Sequence, residues 1–126
     1  MDDRKKILVI EDEEDTQKLL KVTLERRDFV VITANDGDAG IRAAKLEMPD
    51  LILMDIVMPK MDGYSCLKEI RKSDKIKNTP VLILSAKEEE RLRDIFTFQK
   101  ISGYVEKPFE LDSLILKIEE ILKYKQ

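Results

Sequence analysis

The aliphatic residues of this 126-residue chain come in unbroken runs rather than in alternation with polar ones. Ile7-Leu8-Val9-Ile10, Leu51-Ile52-Leu53-Met54 and Val81-Leu82-Ile83-Leu84 each place apolar side chains at successive positions. Successive side chains of a β-strand point to opposite faces, so such a run needs apolar cover on both sides. Strands of that kind belong to parallel sheets with helices packed above and below.

Helical patterns lie between the runs. After the first run, the acids Glu11 to Asp15 favour a helix start, and Leu19, Leu20 and Leu24 recur at helical spacing to about Arg26. Phe29 to Thr33 is a second strand, rich in β-branched residues, and Asn35-Asp36-Gly37 is a turn able to cap the next helix. That helix runs to about Glu47, ends before Pro49, and carries Gly40. A mid-helix glycine costs about 1 kcal/mol against alanine, which points to close packing there. The third strand, Leu51 to Asp55, is followed by a loop with Pro59 and Gly63, then by a helix from Tyr64 to about Lys72 with Cys66, Leu67 and Ile70 inward. Pro80 to Leu84 is the fourth strand, closed by Ser85. Residues 88 to about 99 form a charged helix, Gly103 to Glu106 a short fifth strand, and Lys107-Pro108 a turn. Leu111, Leu114, Ile115, Ile118, Ile121 and Leu122 line one face of a final helix. Five strands alternating with five helices make a doubly wound α/β domain, a five-stranded parallel sheet flanked by five helices.

Composition removes several functions. The 23 Lys and Arg stand against 26 Asp and Glu, a net charge of −3, so no global basic surface draws in nucleic acid or an anionic membrane. No apolar run approaches the roughly 20 residues of a membrane span, and Met1-Asp2-Asp3-Arg4 does not open a signal peptide, so a cytoplasmic location is expected. Cys66 is the only cysteine and there is no histidine, which removes an internal disulfide, multi-cysteine metal sites, Ser-His-Asp hydrolysis and histidine-ligated zinc. Carboxylates, hydroxyls and lysine remain.

In sheets of this type ligands bind at the carboxyl ends of the strands. There the first strand leads to Glu11 and Asp12, the third to Asp55, the fourth to Ser85 and the fifth to Lys107. Two carboxylates about 4 Å apart repel by about 4 kcal/mol at an effective dielectric near 20. A divalent cation resolves this, and oxygen-only ligands suit Mg²⁺. An Asp between a metal and a lysine, beside a hydroxyl, is equipped to attack a phosphoryl group. Glu13, Glu14 and Asp15 are explained as acids of a helix start. An Asp that caps the turn after a strand also explains Asp55 taken alone, but not the lysine at the matching strand end.

These residues carry a resemblance. Ile7-Leu8-Val9-Ile10-Glu11-Asp12, Leu51-Ile52-Leu53-Met54-Asp55 with Met58-Pro59 and Met61-Asp62-Gly63, Leu84-Ser85-Ala86, and Tyr104-Val105-Glu106-Lys107-Pro108-Phe109 stand in order at matching spacing. Together they resemble the bacterial response-regulator receiver domain, the CheY-like family, over nearly the whole chain. The resemblance implies a flavodoxin-like (βα)5 fold and one receiver domain over 1–126 without an output domain. A receiver excised from a longer regulator or hybrid kinase stays open, since nothing after the last helix identifies an output domain.

By that resemblance Asp55 is the phosphoacceptor, taking its phosphoryl group from a phosphohistidine on a sensor histidine kinase or a histidine phosphotransfer protein. Mg²⁺ is held by Glu11, Asp12, Asp55 and the backbone carbonyl of Val57. Glu11 stands where many relatives carry Asp, so its longer side chain is expected to reach the metal through water. Ser85 and Lys107 bind the phosphoryl group. Tyr104 turns inward when the hydroxyl moves and couples the site to a face made by the fourth helix, fifth strand and fifth helix. A downstream protein, or a second copy of the chain, docks on that face. The domain is a switch that catalyses only its own phosphorylation and dephosphorylation, not a turnover enzyme.

Departures from the family pattern add expectations. Val57 cannot hydrogen-bond the hydrolytic water, which favours a long-lived phosphorylated form, and Lys87 flanks the same opening. Lys100 stands where relatives often carry glycine at the end of the fourth helix. Phe98 and Ile101 turn away from the apolar face of that helix, which makes Phe98, Lys100 and Ile101 candidates for a partner contact. Two other uses of the fold fit less well. A phosphatase of the haloacid-dehalogenase type needs a second Asp at position 57. A flavin-binding electron carrier needs a hydroxyl- and glycine-rich loop where this chain has Glu11-Asp12-Glu13-Glu14.

Overall fold

The computed structural model describes residues 3–56, 61–85 and 101–123, with the side chain of Ser85 outside that set. Five strands, β1 (Lys6–Ile10), β2 (Val30–Ala34), β3 (Leu51–Asp55), β4 (Val81–Ser85) and β5 (Gly103–Glu106), form one parallel sheet in the order β2-β1-β3-β4-β5. The chain therefore winds outward in one direction from β1 to β2 and in the other from β3 to β5. Four helices are found among the described residues: α1 (Glu14–Arg26), α2 (Gly37–Glu47), α3 (Gly63–Lys72) and α4 (Leu111–Lys123). This is the flavodoxin-like α/β architecture. The predicted helix over 88–99 lies outside the described residues.

The pleat sorts each aliphatic run between two cores. Leu8, Ile10, Ile52, Met54, Val81 and Ile83 face one way and pack with Ala44 of α2 and Cys66, Leu67 and Ile70 of α3. Ile7, Val9, Leu51, Leu53, Leu82 and Leu84 face the other way and meet Leu20 and Leu24 of α1 with Leu114, Ile115 and Ile118 of α4. All the strand residues in both groups are fully buried. Each such side chain removed from water stabilises the fold by about 1.5–3 kcal/mol before entropy is counted. Consecutive Leu19 and Leu20 cannot share one helix face: Leu20 is buried, while Leu19 is half exposed.

The helix ends follow local chemistry. The Ala39 N–H donates to Asp36 Oδ1 at 2.8 Å at the start of α2, and the Ser65 N–H donates to Asp62 Oδ1 at 2.8 Å at the start of α3. Each bond satisfies a donor that the first helical turn leaves unpaired. At the end of α2, Met48 takes a left-handed conformation with φ 48° and its N–H donates to Ala44 O. Gly40 does pack closely, since a Cβ there would lie 2.4 Å from Ile10 Cδ1. Cys66 is buried with its sulfur 3.8 Å from the Gly37 carbonyl, and burial, with Asp38 nearby, pushes the thiol up to about 12. Several boundaries shift by a residue: β1 begins at Lys6, β2 spans Val30–Ala34 where Phe29–Thr33 was predicted, β4 spans Val81–Ser85 where Pro80–Leu84 was predicted, and α3 begins at Gly63. Ile101, expected to turn away from the apolar face of the fourth helix, packs half-buried against the core on the α2 and α3 side. It lies two residues before β5, and the Ser102 N–H between them donates to Val81 O at 2.8 Å, which holds this segment against β4.

Candidate functional site

Parallel register brings the strand ends together. Ile10 of β1 pairs with Met54 of β3, so Glu11 and Asp12 leave the sheet beside Asp55. Asp55 of β3 pairs with Leu84, and Ser85 pairs with Glu106. Lys107, the residue after β5, therefore leaves the sheet at the same edge. The Lys107-Pro108 peptide that follows is cis.

One carboxylate oxygen from each of Glu11, Asp12 and Asp55 lies within 4.8 Å of the others. Glu11 is fully buried, Asp55 is nearly so, and Asp12 is exposed. The Lys107 ammonium donates to Glu11 Oε1 at 2.9 Å and to Asp55 Oδ2 at 3.1 Å. Burial pushes the Glu11 carboxyl up to about 7, with Asp55 adding to the rise and Lys107 opposing it. Burial also works against the charge of Lys107, but its bonds to Glu11 and Asp55 more than offset this and hold the ammonium above its ordinary value.

The residues fit a divalent cation on an observation independent of any relative. Glu11 Oε2 is buried without a hydrogen-bond partner among the described residues. A buried carboxylate oxygen left without a donor is costly, and a hard cation between Glu11, Asp12 and Asp55 would satisfy it. The other Glu11 oxygen, Oε1, accepts from Lys107.

The start of α3 packs against the end of β3. The Gly63 N–H donates to Ile56 O at 2.8 Å, and a Cβ on Gly63 would fall 2.7 Å from the Asp55 carbonyl. Gly37, at the start of α2, lies against Met61. Beside Lys107 a cleft of about 480 Å³ opens between α1 and the turn after β5, lined by Glu13, Thr16, Leu19, Lys107, Pro108 and Phe109. Tyr104 is 37% exposed on β5.

Glu11, Asp12, Asp55 and Lys107 are thus brought together. Ser85 closes β4 at the same edge, while its hydroxyl, together with Val57, Lys87, Phe98 and Lys100, lies outside the described residues. Sequence reasoning missed Gln17, whose side-chain amide sits against the backbone of Glu11. A polar residue in the first turns of a helix, six positions after Glu11, carries no signal of its own.

Comparison with known proteins agrees with this geometry. The sequence matches the family model described as the response regulator receiver domain over residues 7–119. It is 38% identical over 126 residues to PhoP of Bacillus subtilis (strain 168), named the alkaline phosphatase synthesis transcriptional regulatory protein. That match covers 94% of this chain and 49% of PhoP. It is 34% identical to hybrid signal transduction histidine kinase D of Dictyostelium discoideum, over 95% of this chain and 8% of the kinase. The chain spans about half the length of the first regulator and a small part of the kinase. Among solved structures, the receiver domain of a Pseudomonas aeruginosa sensor histidine kinase, with a magnesium ion coordinated in its active-site cleft, superposes with TM-score 0.87 at 28% identity. That superposition covers 95% of this chain and 98% of the other. The Francisella response regulator 1452 receiver domain gives TM-score 0.87 at 30% identity over 98% of this chain and all of its own. With the family matched from the first strand into the last helix and its acidic strand ends gathered around one lysine, the chain belongs to the response regulator receiver domains of two-component systems.

Proposed function

We propose that Asp55 is the phosphoacceptor of this receiver and that its phosphorylation requires Mg²⁺ held by Glu11, Asp12, Asp55 and the Val57 carbonyl. The observation that carries the reading is the position of Lys107, whose ammonium bonds a carboxylate from each of two strand ends. The Asp55 carboxylate is thus held, with Oδ2 on the lysine, at the sheet edge where an incoming phosphoryl group would meet it. Asp55 attacks phosphorus, the P–N bond of the donor's phosphohistidine breaks, and the imidazole leaves with the bonding pair. Charge grows on the transferred oxygens during this step, and preorganised cations lower its barrier most. Lys107 supplies one such cation, and Mg²⁺, were it held by Glu11, Asp12, Asp55 and the Val57 carbonyl, would add to that stabilisation.

Ser85 then binds the phosphoryl group, and Tyr104 follows the hydroxyl inward, which alters the face that the fifth strand shares with the helices beside it. Histidine kinases or phosphotransfer proteins are the donors, approaching along the cleft beside Lys107. A downstream protein or a second copy of the chain reads the altered face. The charge of −3 gives this unit no basic surface of its own for DNA. Residues 1–126 act as one cytoplasmic switch that catalyses its own phosphorylation and slow hydrolysis and turns over no separate substrate.

Incubation with Mg²⁺ and a small phosphodonor should add the mass of one phosphoryl group. Chelation of the metal or Asp55→Asn should abolish the gain. An Asp55→Asn chain that still gains the mass would sink the assignment.

A further inference from the structure

Gln17 lies early in α1, outside the carboxylate cluster, yet its amide is aimed at the strand ends that carry it. The Gln17 Nε2 group donates to Glu11 O at 2.9 Å, to Asn35 Oδ1 at 2.9 Å and, more weakly, to Ala34 O at 3.3 Å. Two of these partners are backbone carbonyls, which accept only, so the nitrogen and not the oxygen of the amide must face them. The Glu11 N–H donates to Ala34 O at 3.0 Å, and the Gln17 N–H donates to Glu13 O at 3.0 Å. One side chain thus fastens α1 to the ends of β1 and β2 at the point where the chain turns to present Glu11 and Asp12.

The fastening reaches further around the site. Asn35 precedes Asp36, which caps α2 through Ala39, and the first residue of α2, Gly37, lies against Met61 in the loop that follows Asp55. Where ionised, Glu11, Asp12 and Asp55 repel one another when no cation lies between them, and that repulsion pushes on the turn from β1 to α1. A neutral donor on the Glu11 carbonyl resists the movement without adding charge to the cluster.

We infer that Gln17 is a positioning residue for the acidic pair, holding the Glu11 backbone so that Glu11 and Asp12 meet a divalent cation together with Asp55. The inference rests on the metal reading proposed above. Groups that orient metal ligands from behind typically change metal affinity by 10- to 100-fold when removed.

The test compares the intact chain with Gln17→Leu, Gln17→Glu and Gln17→Arg, using Mg²⁺ titration by calorimetry, amide hydrogen exchange in metal-free buffer and thermal midpoints. Gln17→Leu should weaken Mg²⁺ binding about tenfold and speed exchange at Asp12, Glu13, Asn35 and Asp36. Gln17→Glu separates the fastening from simple charge. A further carboxylate near the site would tighten cation binding by attraction alone, whereas a carboxylate set against three oxygens breaks the fastening and weakens it. Gln17→Arg keeps donors at this position and should bind Mg²⁺ within about threefold of the intact chain. Arg71→Ala serves as the control for general instability, because Arg71 ties the Lys77 and Thr79 carbonyls in the loop between α3 and β4. It should lower the thermal midpoint and leave Mg²⁺ affinity unchanged.

A Gln17→Leu chain with unaltered affinity and exchange overturns the inference. So does a Gln17→Glu chain that binds Mg²⁺ more tightly, or an Arg71→Ala chain that loses as much affinity as Gln17→Leu. If the intact chain takes up no Mg²⁺ while Gln17→Leu still speeds exchange at those four residues, the metal reading fails and the fastening stands.

Discussion

The Lys107 ammonium lies 2.9 Å from a carboxylate oxygen of the fully buried Glu11, a residue 96 positions earlier in the chain. The pair closes the site across four neighbouring strands, because β1, β3, β4 and β5 are consecutive in the sheet. Breaking such a pair from one side leaves the other charge buried and unmatched.

Lys107→Met should therefore destabilise the metal-free chain by about 3 kcal/mol, read as a lower urea midpoint. Added Mg²⁺ should recover more stability in the variant than in the intact chain, because there a cation replaces a missing ammonium instead of joining one. Equal gains in both proteins would show that Lys107 and the metal do not act on the same carboxylates.

The elevated Glu11 carboxyl gives stability a pH dependence of definite sign. A group whose pKa rises on folding holds its proton more tightly in the folded chain than in the unfolded one. Its contribution is complete below its ordinary value of 4.5 and is lost as pH rises through about 7. Lys107 is also raised, and its contribution persists across this window and fades only above 10.5. Thermal midpoints in metal-free buffer should fall between pH 5 and pH 8, and Glu11→Gln should flatten that decline. An unchanged slope in the variant would assign the effect to another group.

Gly63 and Gly40 both lie in helices but should answer differently to alanine. At Gly63 the added methyl would meet backbone, 2.5 Å from Ile56 Cα and 2.7 Å from Asp55 O. At Gly40 it would meet only side-chain atoms of Ile10, which must shift within the core, and it gains about 1 kcal/mol of helix propensity that offsets part of that cost. Gly63→Ala should cost about 3 kcal/mol and Gly40→Ala about 1 kcal/mol or less. Gly63→Ala should in addition slow phosphorylation of Asp55, since the strain falls on its carbonyl. Denaturant titration and the rate of mass gain with a small phosphodonor check both parts.

Met48 sits in the left-handed region at φ 48° with half of its surface exposed. A side chain in that conformation costs about 1 kcal/mol relative to glycine, and little packing is lost by removing this one. Met48→Gly should stabilise the chain by about 1 kcal/mol. A lower urea midpoint would show that Met48 packs more than its exposure indicates.

Much of this architecture can be read along the chain, because parallel sheets impose simple rules. Runs such as Leu51 to Met54 require cover on two faces, and the structure divides them between two cores as the pleat demands. Asp36 caps α2, and Gly40 marks a close approach, for reasons local to those residues. The carboxylates gather because Glu11 and Asp12 follow the end of β1 and Asp55 closes its neighbour β3. What could not be read depends on contacts between distant segments. Nothing near Glu11 indicates that it is buried or that one oxygen is taken by Lys107, since that pairing follows from the spacing of β1 and β5 across the sheet. Leu19 and Leu20 look equally apolar, and only the rotation of α1 decides which is covered. Gln17 looks like an ordinary helix residue until the end of β2 arrives beside it.

The buried Cys66 has a practical consequence. Its thiol is the only one in the chain and is raised to about 12, so at neutral pH almost none of it is the reactive thiolate. A cysteine placed at an exposed position such as Leu116, which is 66% accessible on α4, would then be the one site open to a maleimide dye or spin label. The native chain supplies a chemically silent background for following the switch at a chosen point, with no need to remove its own sulfur first.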